Sequence, residues 1–506
     1  MNAFLLFPDR DLDLGLPLPP NAEALEEDLG LPLLFDAMAQ GDAHLRETAR
    51  HVVLTGLADP ATIRDRQAVL ADCLARPSVV RDLHATAVAA VEGEKQIHRT
   101  FWENPDSILA RAVEVLAFFA DRLRRLRRIA DDDGAGFASD GFARFFAMLR
   151  HELDDTFFAR VDRHLEDLRL RGGVLVSATL GQGLRGTGYV VRAPRRQGWL
   201  ERLGVPSADG CSFRIADRDE SGFRALADLR GRGIDLAADA LARSADHVLA
   251  FFALLRAELA FYVGALNLHE RLAAAGTPLC VPVPAPLGEP RFAAEDLRDA
   301  GLALRTERPV VGNDAAADDC RLVVVTGANQ GGKSTFLRSV GLAQLMMQAG
   351  LFVAARSFRA DVASGVFTHF KREEDASLRS GKLDEELARM SDIADRLSPN
   401  GLILFNESFA ATNEMEGSAI ARQVVRALVE SRVKVFFVTH QFAFADGLRR
   451  DAPFPVAFLR ADRTAAGERP YRLVVGDPLP TSFGADTYRV VFGRPPEADT
   501  VAVAPV

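Results

Sequence analysis

Leu322-Val323-Val324-Val325-Thr326-Gly327-Ala328-Asn329-Gln330-Gly331-Gly332-Lys333-Ser334-Thr335 is the stretch that decides the fold of the second half of this chain. A short apolar run of buried-strand type enters a glycine-rich turn, and helical apolar spacing follows from Thr335 to Met347. The turn fits G-x-x-x-x-G-K-[ST], the P-loop pattern, in the strand–turn–helix context that the pattern needs. Glycines let backbone N–H groups close around phosphates, a lysine neutralises the β/γ oxygens, and a serine hydroxyl reaches Mg²⁺. Gly327, Asn329, Gly331, Gly332, Lys333, Ser334 and Thr335 are therefore the candidate ATP-binding residues, with Ser334 also a metal ligand.

Outward from this loop, Arg321–Thr326, Val366–Phe370, Gly401–Phe405 and Val433–Thr439 are apolar runs separated by helical segments, which predicts an α/β fold with buried parallel strands. Leu402-Ile403-Leu404-Phe405 ends in Asn406-Glu407. P-loop ATPases hold Mg²⁺ near such a strand end, and a following glutamate can activate water. Asn406 and Glu407 are thus candidate metal ligands, with Glu407 also the candidate base. Asn406 is neutral and offers a metal-bound water a hydrogen bond without charge. The next loop, Ser408 to Gly417, feeds a helix reaching about Glu430, with Asn413 and Glu416 spaced as a capping box. Such a loop can also bind an anion. Thr439-His440 ends a further strand, on the ligand side of a parallel sheet, where His440 could sense a γ-phosphate.

Upstream the texture is helical. Ala37 to Val53, Pro60 to Leu74, Ser107 to Arg128, Ser139 to Leu170 and Ala237 to Ala275 all carry helical apolar spacing. Arg122, Arg124, Arg125, Arg127 and Arg128 cluster near one helix end, either as cations complementing the dipole or as a nucleic-acid contact. Gly172 to Arg192 alternates β-branched residues with glycines, as short strands do. Arg169, Arg171, Arg185, Arg192, Arg195, Arg196 and Arg202 surround Tyr189 and Trp199 there, against the single acid Glu201. Arginine with interleaved aromatics suits a phosphate backbone, so Arg185, Arg192, Arg195 and Arg196 are candidate nucleic-acid contacts, with a solvated surface the competing reading. Gly276 to Pro290 is proline-rich and reads as a linker. The expected layout is a mainly helical core or lever domain at 1–285, with a small basic β-containing segment near 172–232, and an α/β P-loop domain at 286–506.

The 506 residues are 48% hydrophobic and 26% charged, which excludes disorder, a collagen-like fibre and a disulfide-stapled mini-protein. A net charge of −9 means that nucleic acid would be held by local patches and not by bulk charge. The five lysines are Lys95, Lys333, Lys371, Lys382 and Lys434, against 56 arginines, so each lysine invites a reason. Four scattered cysteines form no CxxC pair, and free thiols are expected. His247 to Leu268 is the longest apolar stretch, but Arg256 and Glu258 lie near its middle, and each would cost ~2.5–3.5 kcal/mol at a bilayer centre. A buried helix, no signal peptide and a cytoplasmic protein are expected.

Together, Thr326 to Thr335, the Asn406-Glu407 strand end, the Ser408–Gly417 loop and Thr439-His440 resemble the ABC-like ATPase domain of the MutS family, the DNA mismatch-repair and recombination ATPases. Phe352-Val353-Ala354-Ala355 resembles the family's strand after the P-loop helix, and Tyr471 to Gly476 with Ser482-Phe483-Gly484 its closing hairpin and turn. Leu57 to Gln67 resembles the start of the family's helical core, and Glu258–Arg271 its return helix. The resemblance implies a homodimer through the ATPase domains, in which each P-loop holds ATP against Ser408, Thr412 and Asn413 of a partner and nucleotide state controls the grip on DNA. Three departures stand out. The chain starts at the helical core, so the mismatch-reading domain is expected to be absent; Phe101-Trp102-Glu103 and Phe405-Asn406-Glu407 match the reader's Phe-x-Glu only as chance would allow. Asn406 stands for the Walker B aspartate, implying slow hydrolysis, and Val310 for an aromatic against adenine, implying weaker stacking. Apart from these three, no nuclease-like extension is expected after Gly484. The leading expectation is a DNA-associated ATPase. The alternatives are a nucleotide-gated clamp or adaptor with negligible turnover, and an ATPase acting on branched DNA, RNA or ribosomes.

Overall fold

The computed structural model describes residues 1–97, 104–170, 173–184, 186–192, 214–306, 308–372, 381–464 and 468–480. From the N-terminus run α1 (Ala22–Leu29), α2 (Leu31–Ala39), α3 (Ala43–Leu54), α4 (Pro60–Ala75), α5 (Pro77–Gln96), α6 (Pro105–Asp132), α7 (Asp140–Glu152) and α8 (Asp155–Leu168). An antiparallel hairpin, β1 (Leu175–Leu180) and β2 (Gly186–Arg192), precedes the 55-residue helix α9 (Glu220–Ala274). The chain divides into two compact units. One comprises Met1–Leu5, Asp9–Leu12 and Arg76–Leu259; the other comprises Leu6–Pro8, Asp13–Ala75 and Ala260–Val506. Residues 13–75 and 260–285, which the sequence layout placed with the helical core, group here with the sheet-bearing unit.

In the helical unit, Leu109 and Val113 of α6 pack with Leu165 of α8 and Ile234 and Ala238 of α9. Asn104 caps α6 by accepting from Ser107 N at 2.8 Å, and Pro105 opens the helix, where a missing N–H costs nothing. The α6 arginines do not complement a dipole: the helix runs past them and ends in Asp131-Asp132-Asp133. Instead Arg124 pairs with Asp162, Arg125 with Asp82 and Arg127 with Asp131. The 139–170 stretch is two helices and not one, because Asp154 accepts from Phe157 N at 2.6 Å and starts α8. On α9, Arg256 pairs with Glu92 at 2.9 Å, and the fully buried Glu258 accepts from Leu5 N at 2.7 Å and Leu12 N at 3.0 Å. Its long apolar window is mostly buried, as a core helix is.

In the other unit, Gln40 (φ 46°) and Gly41 (φ 92°) break the 37–53 stretch into α2 and α3, and Asp42 caps the second. After α9 come β3 (Val283–Ala285), β4 (Phe292–Leu297), α10 (Ala300–Arg305), β5 (Asn313–Ala316), β6 (Leu322–Thr326), α11 (Lys333–Gln348), β7 (Ser357–Asp361), β8 (Val366–Phe370), α12 (Lys382–Ala394), β9 (Leu402–Asn406), α13 (Glu414–Glu430), β10 (Lys434–Val438), α14 (Phe442–Asp451), β11 (Val456–Ala461) and β12 (Leu473–Val475). They form a six-stranded sheet, β12-β11-β6-β10-β9-β8, parallel except for β12, and a four-stranded sheet, β3-β7-β4-β5.

Two expectations fail here. The proline-rich 276–290 segment is no free linker: β3 pairs parallel with β7, and Cys280 exchanges backbone hydrogen bonds with Val353 at 3.1 and 2.9 Å. Prolines are tolerated because β3 is an edge strand, where a missing N–H breaks no ladder. Likewise 352–355 is a single bridge at Val353; the strand that follows α11 is β7. Ser482 to Gly484 and Phe101 to Glu103 lie outside the described residues.

The core that supports the large sheet includes Phe405, Phe437 and Phe444, with ring centroids 5.0 and 4.4 Å apart. Each such buried ring is worth about 1.5–3 kcal/mol. Lys434, almost fully buried, pairs with Asp361 and donates to Arg291 O at 2.7 Å, tying the two sheets together.

Candidate functional site

Strand register brings the site together. Val438 at the end of β10 lies opposite Val325 of β6 on one side and Asn406 of β9 on the other. The three following loops therefore leave the same end of a parallel sheet side by side, where such sheets bind ligands.

The glycine-rich loop holds three left-handed residues, two of them glycines and the third Gln330 (φ 61°). Gly327 (φ 111°) and Gly332 (φ 90°) are left-handed. A Cβ on Gly327 would sit 2.8 Å from Ala461 N, and one on Gly331 would sit 2.7 Å from Ala461 Cβ. Lys333 is buried and donates to Gly327 O at 2.9 Å and Ala328 O at 3.0 Å. Burial pulls its pKa below the ordinary lysine value, and Glu407 opposes that shift. Asn329 and Ser334 are exposed, and Thr335 and Gly332 line a cavity of about 230 Å³. Val310 lines it too.

Ser334 Oγ donates to Asn406 Oδ1 at 2.8 Å. Glu407, at φ 55°, is held by its N–H to Val438 O at 2.9 Å, and its Oε2 lies 3.5 Å from His440 Nδ1. The His440 hydrogen bond holds the Glu407 carboxyl below the usual glutamate range; burial opposes this, and His440, Lys333 and Lys371 add favourable charge. Ser334, Asn406 and Glu407 form an oxygen set with one carboxylate, the hard-donor chemistry that Mg²⁺ takes when substrate phosphates complete its shell. Among the described residues no cluster of three or more His, Cys, Asp or Glu could hold a metal unaided.

In the next loop, Asn413 accepts from Glu416 N at 3.0 Å, which is the N-cap half of the expected capping box; the Glu416 carboxylate takes side-chain donors instead of the Asn413 backbone N–H. These bonds run from Asn413 Nδ2 (3.0 Å) and Thr412 Oγ1 (2.6 Å) to Glu416 Oε2. Asn413 is exposed and Thr412 half-buried. Ser408 does not belong with them. It is fully buried, its hydroxyl 2.7 Å from His369 Nδ1 and 2.6 Å from His369 O, so it faces the interior and no partner surface. Phe409 beside it is also left-handed (φ 59°) and fully buried. Non-glycine residues held this way cost about 1–3 kcal/mol each and persist only where their surroundings over-determine them.

Sequence reasoning missed four contributors. Tyr471 (φ 58°) is the aromatic lining residue of the cavity, held by Asn313 Nδ2 donating to its carbonyl at 3.3 Å. Arg469 reaches over the glycine-rich loop, donating to Gln330 Oε1 at 3.1 Å. Both precede β12 in irregular chain, which carries no periodic signal. His369 and Glu386 sit behind Glu407. Burial drives His369 down to about 4 and raises Glu386, with the Phe409 N–H partly opposing the second shift. Of the nucleic-acid candidates, Arg192 is exposed on β2 and donates to Ser177 Oγ at 2.9 Å; Arg185, Arg195 and Arg196 lie outside the described residues.

Comparison with known proteins gives two family matches: the MutS2 N-terminal domain over residues 58–275 and MutS domain V over residues 323–455. The chain is 34% identical over 166 residues to the DNA mismatch repair protein MutS of Thermus aquaticus, covering 33% of this chain and 20% of that one. It is 35% identical over 157 residues to the endonuclease MutS2 of Lacticaseibacillus casei, covering 30% and 20%. To the human MutS protein homolog 4 it is 28% identical over 152 residues, covering 30% and 16%. The matched stretch thus spans a fifth or less of each of these relatives.

Proposed function

This chain belongs to the MutS family, and from that premise we propose that it is a cytoplasmic, DNA-gripping P-loop ATPase that binds ATP, hydrolyses it slowly and works as a homodimer through its ABC-like ATPase domains. The observation that carries the reading is the convergence of three loops at one sheet end: Lys333 and Ser334 from the first, Asn406 and Glu407 from the second, His440 from the third. Lys333 neutralises the β/γ-phosphate oxygens, and the backbone around Gly331 and Gly332 closes on them. The cavity beside Thr335 takes the base, with Tyr471 supplying the aromatic surface that Val310 lacks. Ser334 and Asn406, with Glu407, would hold Mg²⁺, which would supply charge neutralisation at the phosphates. Glu407, kept ionised by His440, takes the proton of the attacking water. Thr412 and Asn413 face a second copy's nucleotide, and Arg192 with its neighbours meets the DNA backbone.

One observation favours a second reading, a nucleotide-gated clamp with negligible turnover. Asn406 brings no charge, and its Oδ1 already engages Ser334. Equilibrium ATP binding and steady-state hydrolysis, each with and without DNA, separate the two. Lys333→Ala is the control: it should abolish ATP binding, and unchanged affinity would place the nucleotide elsewhere.

A further inference from the structure

Ser408 and Phe409 directly follow Glu407, and the turn they make is not one that their residue types prefer. Glu407 and Phe409 both have φ near +57°, with the fully buried Ser408 between them. Something must hold this turn. Two buried residues from other elements do so.

His369, at the end of β8 and 1% exposed, makes three contacts with the turn. Its Nδ1 lies 2.7 Å from Ser408 Oγ, its carbonyl accepts from that hydroxyl at 2.6 Å, and its ring stacks on Phe409 with centroids 5.4 Å apart and planes 17° apart. Its Nε2 faces Glu386 O in α12 at 3.0 Å; since a carbonyl only accepts, that nitrogen carries the proton, and Nδ1 is an acceptor that shares the single Ser408 hydroxyl proton with the His369 carbonyl. Glu386 closes the ring of contacts: its carbonyl takes the His369 proton, and the Phe409 N–H favours its buried carboxylate, whose Oε2 has no partner among the described residues. From the far side, Gln441 Nε2 donates to Phe409 O at 3.2 Å. Gly417 is needed there, because a Cβ would come within 2.2 Å of that oxygen.

We infer that His369 and Glu386 are positioning residues for ATP hydrolysis, a buried clasp that holds Ser408 and Phe409 and so aims the Glu407 carboxylate. The inference rests on the reading of Glu407 as the base. Neither residue lines the cavity beside Thr335, so neither is assigned to nucleotide binding. A purely packing role would change folding without separating catalysis from affinity.

The experiment measures kcat, KM and equilibrium ATP affinity on the full chain for Glu386→Met, Glu386→Gln, His369→Phe and Ser408→Ala, beside Glu407→Gln. Glu386→Met removes the buried carboxylate that the Phe409 N–H favours, at similar volume; Glu386→Gln keeps an oxygen there. His369→Phe keeps the stack and loses the hydrogen bonds. The clasp predicts that Glu386→Met and His369→Phe lower kcat by on the order of 100-fold, as a misaimed group does, with ATP affinity unchanged. Glu386→Gln should stay within about threefold of the parent on the same scale. Ser408→Ala, the smallest change, should lower kcat in the same direction and serves if a larger variant fails to fold. Parent-like kcat in the folded Glu386→Met, His369→Phe or Ser408→Ala protein overturns the clasp, provided Glu407→Gln has lost turnover. Full turnover in Glu407→Gln would instead overturn the base reading beneath it.

Discussion

The loops after β6 and β9 do adjacent jobs with opposite materials. The first uses Gly327 and Gly332 at φ 111° and 90°, and its tight approach to Ala461 is possible because Gly331 has no Cβ. The second puts Glu407 and Phe409 at φ 55° and 59° without a glycine, and buries Ser408 and Phe409 completely. A phosphate cradle needs bare backbone, which glycine supplies at no local strain. A loop that aims one carboxylate needs a fixed side chain, and here tertiary packing on His369 and Glu386 imposes the conformation instead. Glycine carries most of the first loop, where Gln330 (φ 61°) under Arg469 is the exception; distant partners build the second.

The sharpest way to break the first loop is to add side-chain volume where backbone must pass. Gly331→Val would push a branched side chain into Ala461 Cβ and Ala328 O, 2.7 and 2.9 Å from a Cβ at that position. We expect ATP binding to be lost in calorimetric titration, and overpacking to cost about 1–3 kcal/mol in denaturant unfolding. A variant that binds ATP like the parent would show that the loop is not the cradle.

A smaller effect sharpens the second loop. Asn406→Asp keeps the acceptor for Ser334 Oγ and adds charge, while Lys333 and Lys371, both close enough to stabilise the Glu407 carboxylate, offset its burial. A carboxylate attracts the metal's water shell where an amide offers only a dipole. Hydrolysis should rise several-fold and its Mg²⁺ requirement fall. A folded, ATP-binding variant with the parent's rate and Mg²⁺ dependence would show that this amide does not restrain turnover.

The least disruptive change tests pH. Because His440 holds the folded Glu407 carboxyl below its unfolded value, its ionisation contributes stability above the unfolded pKa, and that stability is lost as pH falls through the folded one. In His440→Ala the hydrogen bond and charge go while burial remains, so the carboxyl should rise. The acid limb of the pH–rate profile then moves to higher pH, and the parent's profile in that variant would separate the two residues.

Legibility followed the same divide. The strand–glycine-loop–helix at Leu322 to Gln348, the parallel strands β8, β9 and β10 and the cap at Asn413 could all be read directly, since glycine spacing, apolar runs and side-chain caps are local signals. Ser408 was misassigned because its neighbours in sequence, Thr412 and Asn413, face outward while it faces His369 from a distant strand. Tyr471 and Arg469 went unseen for the same reason: only folding brings residues before β12 over the loop after β6. The proline-rich 276–290 segment misled in the other direction, since an edge strand such as β3 accepts prolines that a central strand would not.

The central claim is that Glu407 acts on a nucleotide held by the neighbouring glycine-rich loop, and single-turnover cleavage of bound ATP by Glu407→Gln tests it most directly. Full ATP binding with cleavage slowed by roughly 10²–10⁴-fold, the usual contribution of a positioned base, is the predicted result. Cleavage within about threefold of the parent, far short of that contribution, would contradict it.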